Sequence, residues 1–181
     1  MTEEHDKSET IVQKSLKLFL FGTPILLGIA WIMGLPSQLG LALLDGNYLA
    51  VLLSFSLASV FIYWPYKNKA SYIDYGLALW AALVWLLCAY NYEYWLLHQH
   101  ERTIFKFLMA GMGILLLCEG VRKAAGLGMT MVIVFSLLYG LMGHNLPGIF
   151  EGAKNAPDKL FIYLYTDGSA ILGFIITVAG T

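Results

Sequence analysis

The chain has 181 residues, 59% of them hydrophobic and 13% charged, with a formal net charge of −1 and a mean hydropathy of +0.68. Soluble domains carry nearer a quarter charged residues, so an ordinary soluble domain is excluded and an integral membrane protein is indicated. The net charge also argues against a nucleic-acid partner, which needs a basic face to neutralise phosphates.

Residues 1–17 begin MTEEHDKSETIVQKS. They are too polar for the apolar region of a signal peptide, and no small-residue cleavage site follows a short apolar run. A cytoplasmic tail leading into the first span is expected. Five blocks then carry almost no charge, at residues 18–35, 48–65, 72–92, 104–118 and 129–143. A spanning helix needs about 20 mostly apolar residues, so the expectation is five full spans. The last block, Gly168 to Thr181, has 14 residues. At ~1.5 Å per residue it reaches about 21 Å, short of the ~30 Å hydrocarbon core. A Thr181 carboxylate left in or near hydrocarbon would be costly, so the expectation is that the native chain continues or that another protein covers this end.

Within span one, Gly22, Thr23 and Pro24 allow a gentle bend while the Thr hydroxyl and neighbours satisfy freed backbone groups. Pro36 and an expected turn at Asp45-Gly46-Asn47 bracket Ser37 to Leu44, too short to cross and suited to the interface. Ala78 and Ala82 in span three, and Gly111 and Gly113 in span four, are small residues that let helix backbones approach. Tyr63, Trp64 and Tyr66, and Tyr90, Tyr92, Tyr94 and Trp95, sit at span ends as an interfacial aromatic belt. Cys88 and Cys118 fall inside apolar blocks and give neither a metal spacing nor a disulfide framework, so both read as packing residues. No catalytic, cofactor-binding or metal-binding residue is assigned, and the substrate-binding residues are left open.

Lys and Arg set the orientation, since cytoplasmic loops hold the excess. Lys7, Lys14, Lys17, Lys67, Lys69, Arg122 and Lys123 fall on one side, against Arg102, Lys106, Lys154 and Lys159 on the other. The N-terminus is therefore expected in the cytoplasm. Ionisable residues within spans are the default functional candidates of a membrane protein, and they are few. Asp74 at the start of span three, Glu93 at its end and Lys106 near the start of span four are each expected to snorkel or sit at the head groups. Glu119 and Arg122, three residues apart, share a helical face and are expected to anchor the end of span four. His98 and His100 lack a further Cys or His to complete a metal shell.

After span five, a short helix is expected from Asp158 to Thr166, with Asp158 as N-cap. Phe161, Ile162, Leu164 and Tyr165 form an apolar face between Lys159 and Asp167, the pattern of a helix lying in the interface plane. Asp167-Gly168 then breaks the chain before the final run. The fold class read from these elements is an all-α polytopic bundle of five full spans and a partial C-terminal span preceded by an interfacial helix.

Two stretches carry a specific likeness: GILLLCEGVRKAAGLGM, Gly113 to Met129, and LLYGLMGHNLPGIFEGA, Leu137 to Ala153. Together with the ending LYTDGSAILGFIITVAGT, they resemble the fused permeases of tripartite ATP-independent periplasmic (TRAP) transporters of the TAXI branch. The likeness covers roughly the C-terminal 75 residues, from Met109 onward. Residues 18–123 match in layout the small membrane subunit, and 124–181 the start of the large permease region. The resemblance implies a non-catalytic scaffold in a bacterial or archaeal inner membrane. Its partners would be a large permease region or subunit and a periplasmic binding protein that delivers a small, usually anionic solute, with an ion gradient driving import. The loop from Asn145 to Pro157 would face outward. The chain stops before the helical hairpins and ion sites of such permeases, so no substrate or ion ligand is carried over onto it. The absence of facing broken helices in two similar halves agrees with this. The alternative is a stand-alone small membrane protein with an assembly or regulatory role, and an enzyme is not expected from polar residues so scattered.

Overall fold

The computed structural model describes residues 11–40, 43–66, 71–98, 100–101, 103–148, 151–167 and 170–171. Every regular element among them is helical: α1 (Ile11–Ile32), the single turn α2 (Leu35–Gln38), α3 (Asp45–Tyr63), α4 (Tyr72–Leu97), α5 (Ile104–Ala125), α6 (Leu127–Met142) and α7 (Pro157–Thr166). Four of the described segments are long and apolar enough to cross a membrane: α3, α4, α5, and α6 with the 3₁₀ turn to Asn145. The apolar part of α1 is shorter, Lys17–Ile32. Of the polar tail, residues 1–10 lie outside the described residues, as do 172–181 of the final apolar run.

Antiparallel pairing of α3 with α4 forms the centre, and α5 closes against both. Leu53, Leu57 and Phe61 of α3 are buried with Ala78, Ala81, Trp85 and Cys88 of α4. Ala81, fully buried, extends the small-residue stripe from Ala78, whereas Ala82 is only half-buried. Of the two span-four glycines, Gly111 faces open space, and Gly113 is where a Cβ would lie 2.8 Å from the Tyr165 ring. On the outside, α1 packs along α3, with Trp31 stacked on Tyr48 at 4.2 Å and Phe21 tilted against Tyr63. It runs through Pro24 as one helix, and the Thr23 hydroxyl donates to the Phe19 carbonyl at 2.6 Å.

The expected turn at Asp45-Gly46-Asn47 is instead the first turn of α3. The Leu44 carbonyl accepts the Asn47 and Tyr48 N–H groups, and Asp45 favours the helix N-terminus. Gly46 is there for space: a Cβ would lie 1.9 Å from the Tyr92 ring. Asn47 reaches across to donate to the Ala89 carbonyl at 2.7 Å. Tertiary packing thus overrides residues whose identity signals a turn. The span-four helix also outlasts its apolar block, so Arg122 and Lys123 sit in its last turn, where cations suit the helix C-terminus. The break before α6 is a single residue, Gly126, with φ at +85°.

The short C-terminal helix forms where expected, but two details differ. Its N-cap residue is Ala156, with Pro157 leading the first turn and Asp158 inside it. Its apolar face is covered by protein, with Ile162, Tyr165 and Thr166 buried. The helix packs along the first half of α5 and against α4, so that its last turn reaches the middle of both helices. The reason is Tyr165, which finds a slot between Trp85 and Trp95 at ring separations of 5.0 and 5.7 Å. The slot is open because Gly113 has no side chain. Gly113 lies nine residues into α5, so the Tyr165 ring sits about 14 Å along that helix at ~1.5 Å per residue.

Candidate functional site

The charged residues gather at the two ends of the bundle. One cluster joins the α3–α4 connection to the last turn of α5. Ser71 and Asp74 form a reciprocal cap at the start of α4, in which Asp74 Oδ2 accepts the Ser71 N–H at 3.0 Å. Asp74 Oδ1 accepts the Tyr66 N–H at 3.2 Å and pairs with Lys123 Nζ at 2.7 Å. The Asp74 and Lys123 side chains are 0% and 5% exposed. Asp74 is therefore enclosed within the bundle and does not snorkel out to solvent. A carboxylate with three donors at a helix N-terminus satisfies its lone pairs internally and gains nothing by reaching water.

Lys123 is held on its other sides by aromatic faces, with Nζ 3.7 Å from the Tyr66 ring centroid and 5.2 Å from that of Phe61. Such cation–π contacts strengthen as the cation is desolvated. The Tyr66 hydroxyl donates to Glu119 Oε1. Glu119 also takes a two-pronged pair from Arg122, Nε to Oε2 at 2.7 Å and Nη2 to Oε1 at 2.6 Å. Partial desolvation and the Glu119 carboxylate push the Tyr66 phenol above its usual range. Two acids and two bases thus cancel in charge, and each has an opposite partner. The arrangement locks α4 to α5 and supplies no unpaired acid, base or nucleophile.

The second cluster lies where α4 turns into α5. Lys106 is buried at 4% exposure instead of snorkelling outward. Its ammonium donates to the His98 carbonyl at 2.8 Å and lies 5.4 Å from the Tyr94 ring. That carbonyl belongs to the residue ending α4, where a helix leaves backbone oxygens unsatisfied, so the lysine closes the helix end. His98 Nδ1 lies 2.9 Å from the Tyr94 carbonyl, and the His98 and His100 rings are 6.3 Å apart. Glu93 is exposed on α4. Among the described residues, no group of three or more His, Cys, Asp or Glu side chains is placed to hold a metal ion.

Cys88 is buried, and its thiol faces the Tyr165 carbonyl at 3.6 Å. Cys118 is half-buried, and neither cysteine is bonded to another. The Tyr165 hydroxyl donates to the Val84 carbonyl at 2.5 Å, whereas the neighbouring Trp85 Nε1 is buried without a partner. A wide apolar groove of about 600 Å³ opens between α1, α3 and α4 beside the Trp31–Tyr48 stack.

Sequence reasoning paired Glu119 with Arg122, which the structure brings together, and kept Asp74 apart from Lys123, which it also brings together. The missing signal was topological: in an up-and-down bundle the start of α4 and the end of α5 come to the same end. No protein-family model matches this chain, and no curated protein and no solved structure matches it either.

Proposed function

We propose that this chain is a non-catalytic membrane component of a TRAP-type secondary transporter, with five full spans, a partial sixth and the N-terminus in the cytoplasm. The observation that carries the reading is the likeness of Gly113–Met129 and Leu137–Ala153 to fused TAXI-branch permeases. These stretches correspond to the end of α5, the break at Gly126, α6 and the loop that follows. Support also comes from α6, none of whose residues is buried. A helix that keeps much of its apolar surface exposed, with Ile133, Leu137 and Leu141 only half-buried, suits a chain that meets further membrane-embedded protein on that side. The charge clusters serve as ties between helices, as a scaffold requires. In this reading a large permease region or subunit and a periplasmic binding protein are the partners, and small anionic solutes the cargo.

The stand-alone reading draws on a different observation: α7 fills the cleft between α4 and α5 with residues of the same chain. Affinity purification from native membranes, followed by intact-mass analysis, separates the two. A co-purifying large permease supports the transporter component. A homo-oligomer with no such companion would sink it and favour a self-sufficient membrane protein. Cysteines introduced at Ala153 and Lys69 test orientation, with labelling from outside expected at the first position only.

A further inference from the structure

The loop after α6 folds back on itself. The Gly143 carbonyl accepts the N–H groups of both Leu146 and Gly152, at 3.1 and 3.0 Å, and Asn155 Nδ2 donates to the Gly140 carbonyl at 3.4 Å. These bonds bring His144, Lys154 and Asn155 to one recess of about 570 Å³, whose apolar wall includes Leu141, Met142 and Pro157. His144 Nδ1 is buried with no hydrogen-bond partner. An unpaired ring nitrogen, an ammonium and the second N–H of an amide, all on residues lining one recess, make a donor set for an oxyanion. Glu151 and Asp158 are near in sequence, yet neither lines the recess.

The position of the recess narrows the ligand. It lies at the end of the apolar segment Leu127–Asn145, the depth of lipid head groups if that segment crosses the bilayer. Below it, Met142, Leu138, Phe135, Met131 and Leu127 recur at three- and four-residue spacing and are all exposed. They form one stripe on a helix with no buried residue. Polar donors above a bare apolar stripe match an amphiphile whose charge is an oxyanion.

We propose that this recess holds the phosphate of an anionic phospholipid whose acyl chain lies along the α6 stripe. The site rests on its own geometry and not on the transporter reading. Lys154 supplies the charge, His144 and Asn155 the directed hydrogen bonds, and the stripe the hydrophobic anchor.

The test is native mass spectrometry of the full chain, delipidated in detergent and titrated with phosphatidylglycerol or phosphatidylcholine of matched acyl chains. The wild type is expected to retain phosphatidylglycerol preferentially. Lys154→Gln, at an exposed and readily substituted position, should weaken that lipid about fivefold, the loss of one basic residue near an anionic group. His144→Phe should weaken it further, while Lys159→Gln, on the exposed side of α7, should leave it unchanged. Equal retention of both lipids, or an equal loss in Lys159→Gln, would overturn the proposal. So would displacement by millimolar inorganic phosphate, which would make the recess a site for free oxyanions.

Discussion

Lys123→Met isolates the role of the buried ion pair. The substitution keeps an apolar stem of similar length and removes the ammonium 2.7 Å from Asp74, leaving a carboxylate with 0% side-chain exposure held by two backbone N–H groups. Breaking a buried pair from one side costs ~3–5 kcal/mol. At ~1.4 kcal/mol per decade, the unfolding constant should rise between two and four orders of magnitude. Asp74→Leu should be as severe or worse. It strands the Lys123 cation between Phe61 and Tyr66 and also removes the α4 cap, a further ~1 kcal/mol. The double variant carries no uncompensated charge and retains mainly the capping loss, about 1–2 kcal/mol. It should therefore be more stable than either single variant. Reversible unfolding in mixed micelles, followed by tryptophan fluorescence during titration with a denaturing detergent, measures all four corners of the cycle. A Lys123→Met variant within about 1 kcal/mol of wild type, or a double variant weaker than both singles, would refute the reasoning. Either result would mean that water already solvates these charges.

The glycines give a graded set in the same assay. Gly46→Ala and Gly113→Ala place a methyl against the Tyr92 and Tyr165 rings and should each cost ~1–3 kcal/mol. Gly111→Ala meets nothing within 4 Å and should gain ~0.5–1 kcal/mol from helix propensity. Tyr165→Phe should lose only ~1 kcal/mol, because it removes one hydrogen bond to a carbonyl. Tyr165→Ala empties the slot, should cost ~3–5 kcal/mol, and should open Cys88 to maleimide, measured as labelling rate in the folded state. Trp85→Phe should be tolerated within ~1.5 kcal/mol, since the lost volume is offset by removing a buried, unpartnered N–H.

The long helices were legible because hydrocarbon permits few alternatives: a long uncharged run suited to it has to satisfy its backbone internally, and the apolar blocks of α3 to α6 announce that directly. The α7 helix was legible too, since Phe161, Ile162 and Tyr165 recur at helical spacing. What covers its apolar face was not. An amphipathic pattern reports that one side avoids water and is silent on whether lipid or protein supplies the cover. The answer lay 52 residues upstream in the missing side chain of Gly113. Asp74 and Lys106 misled for a related reason. Both sit at span ends, where solvent is within reach, and both are held inward by partners that only the folded arrangement of helices supplies.

The seat of Tyr165 also has a bearing on biogenesis. Its bonds to Val84 and Cys88 close over 81 and 77 residues of sequence, so the aromatic cleft on α4 is synthesised well before the ring that fills it. Until α7 leaves the ribosome, Trp85 and Trp95 border an unfilled notch, and domains generally consolidate from the N-terminal side during synthesis. Chains arrested ahead of Pro157 should be the species that membrane quality control recognises, and arrival of α7 the event that releases them.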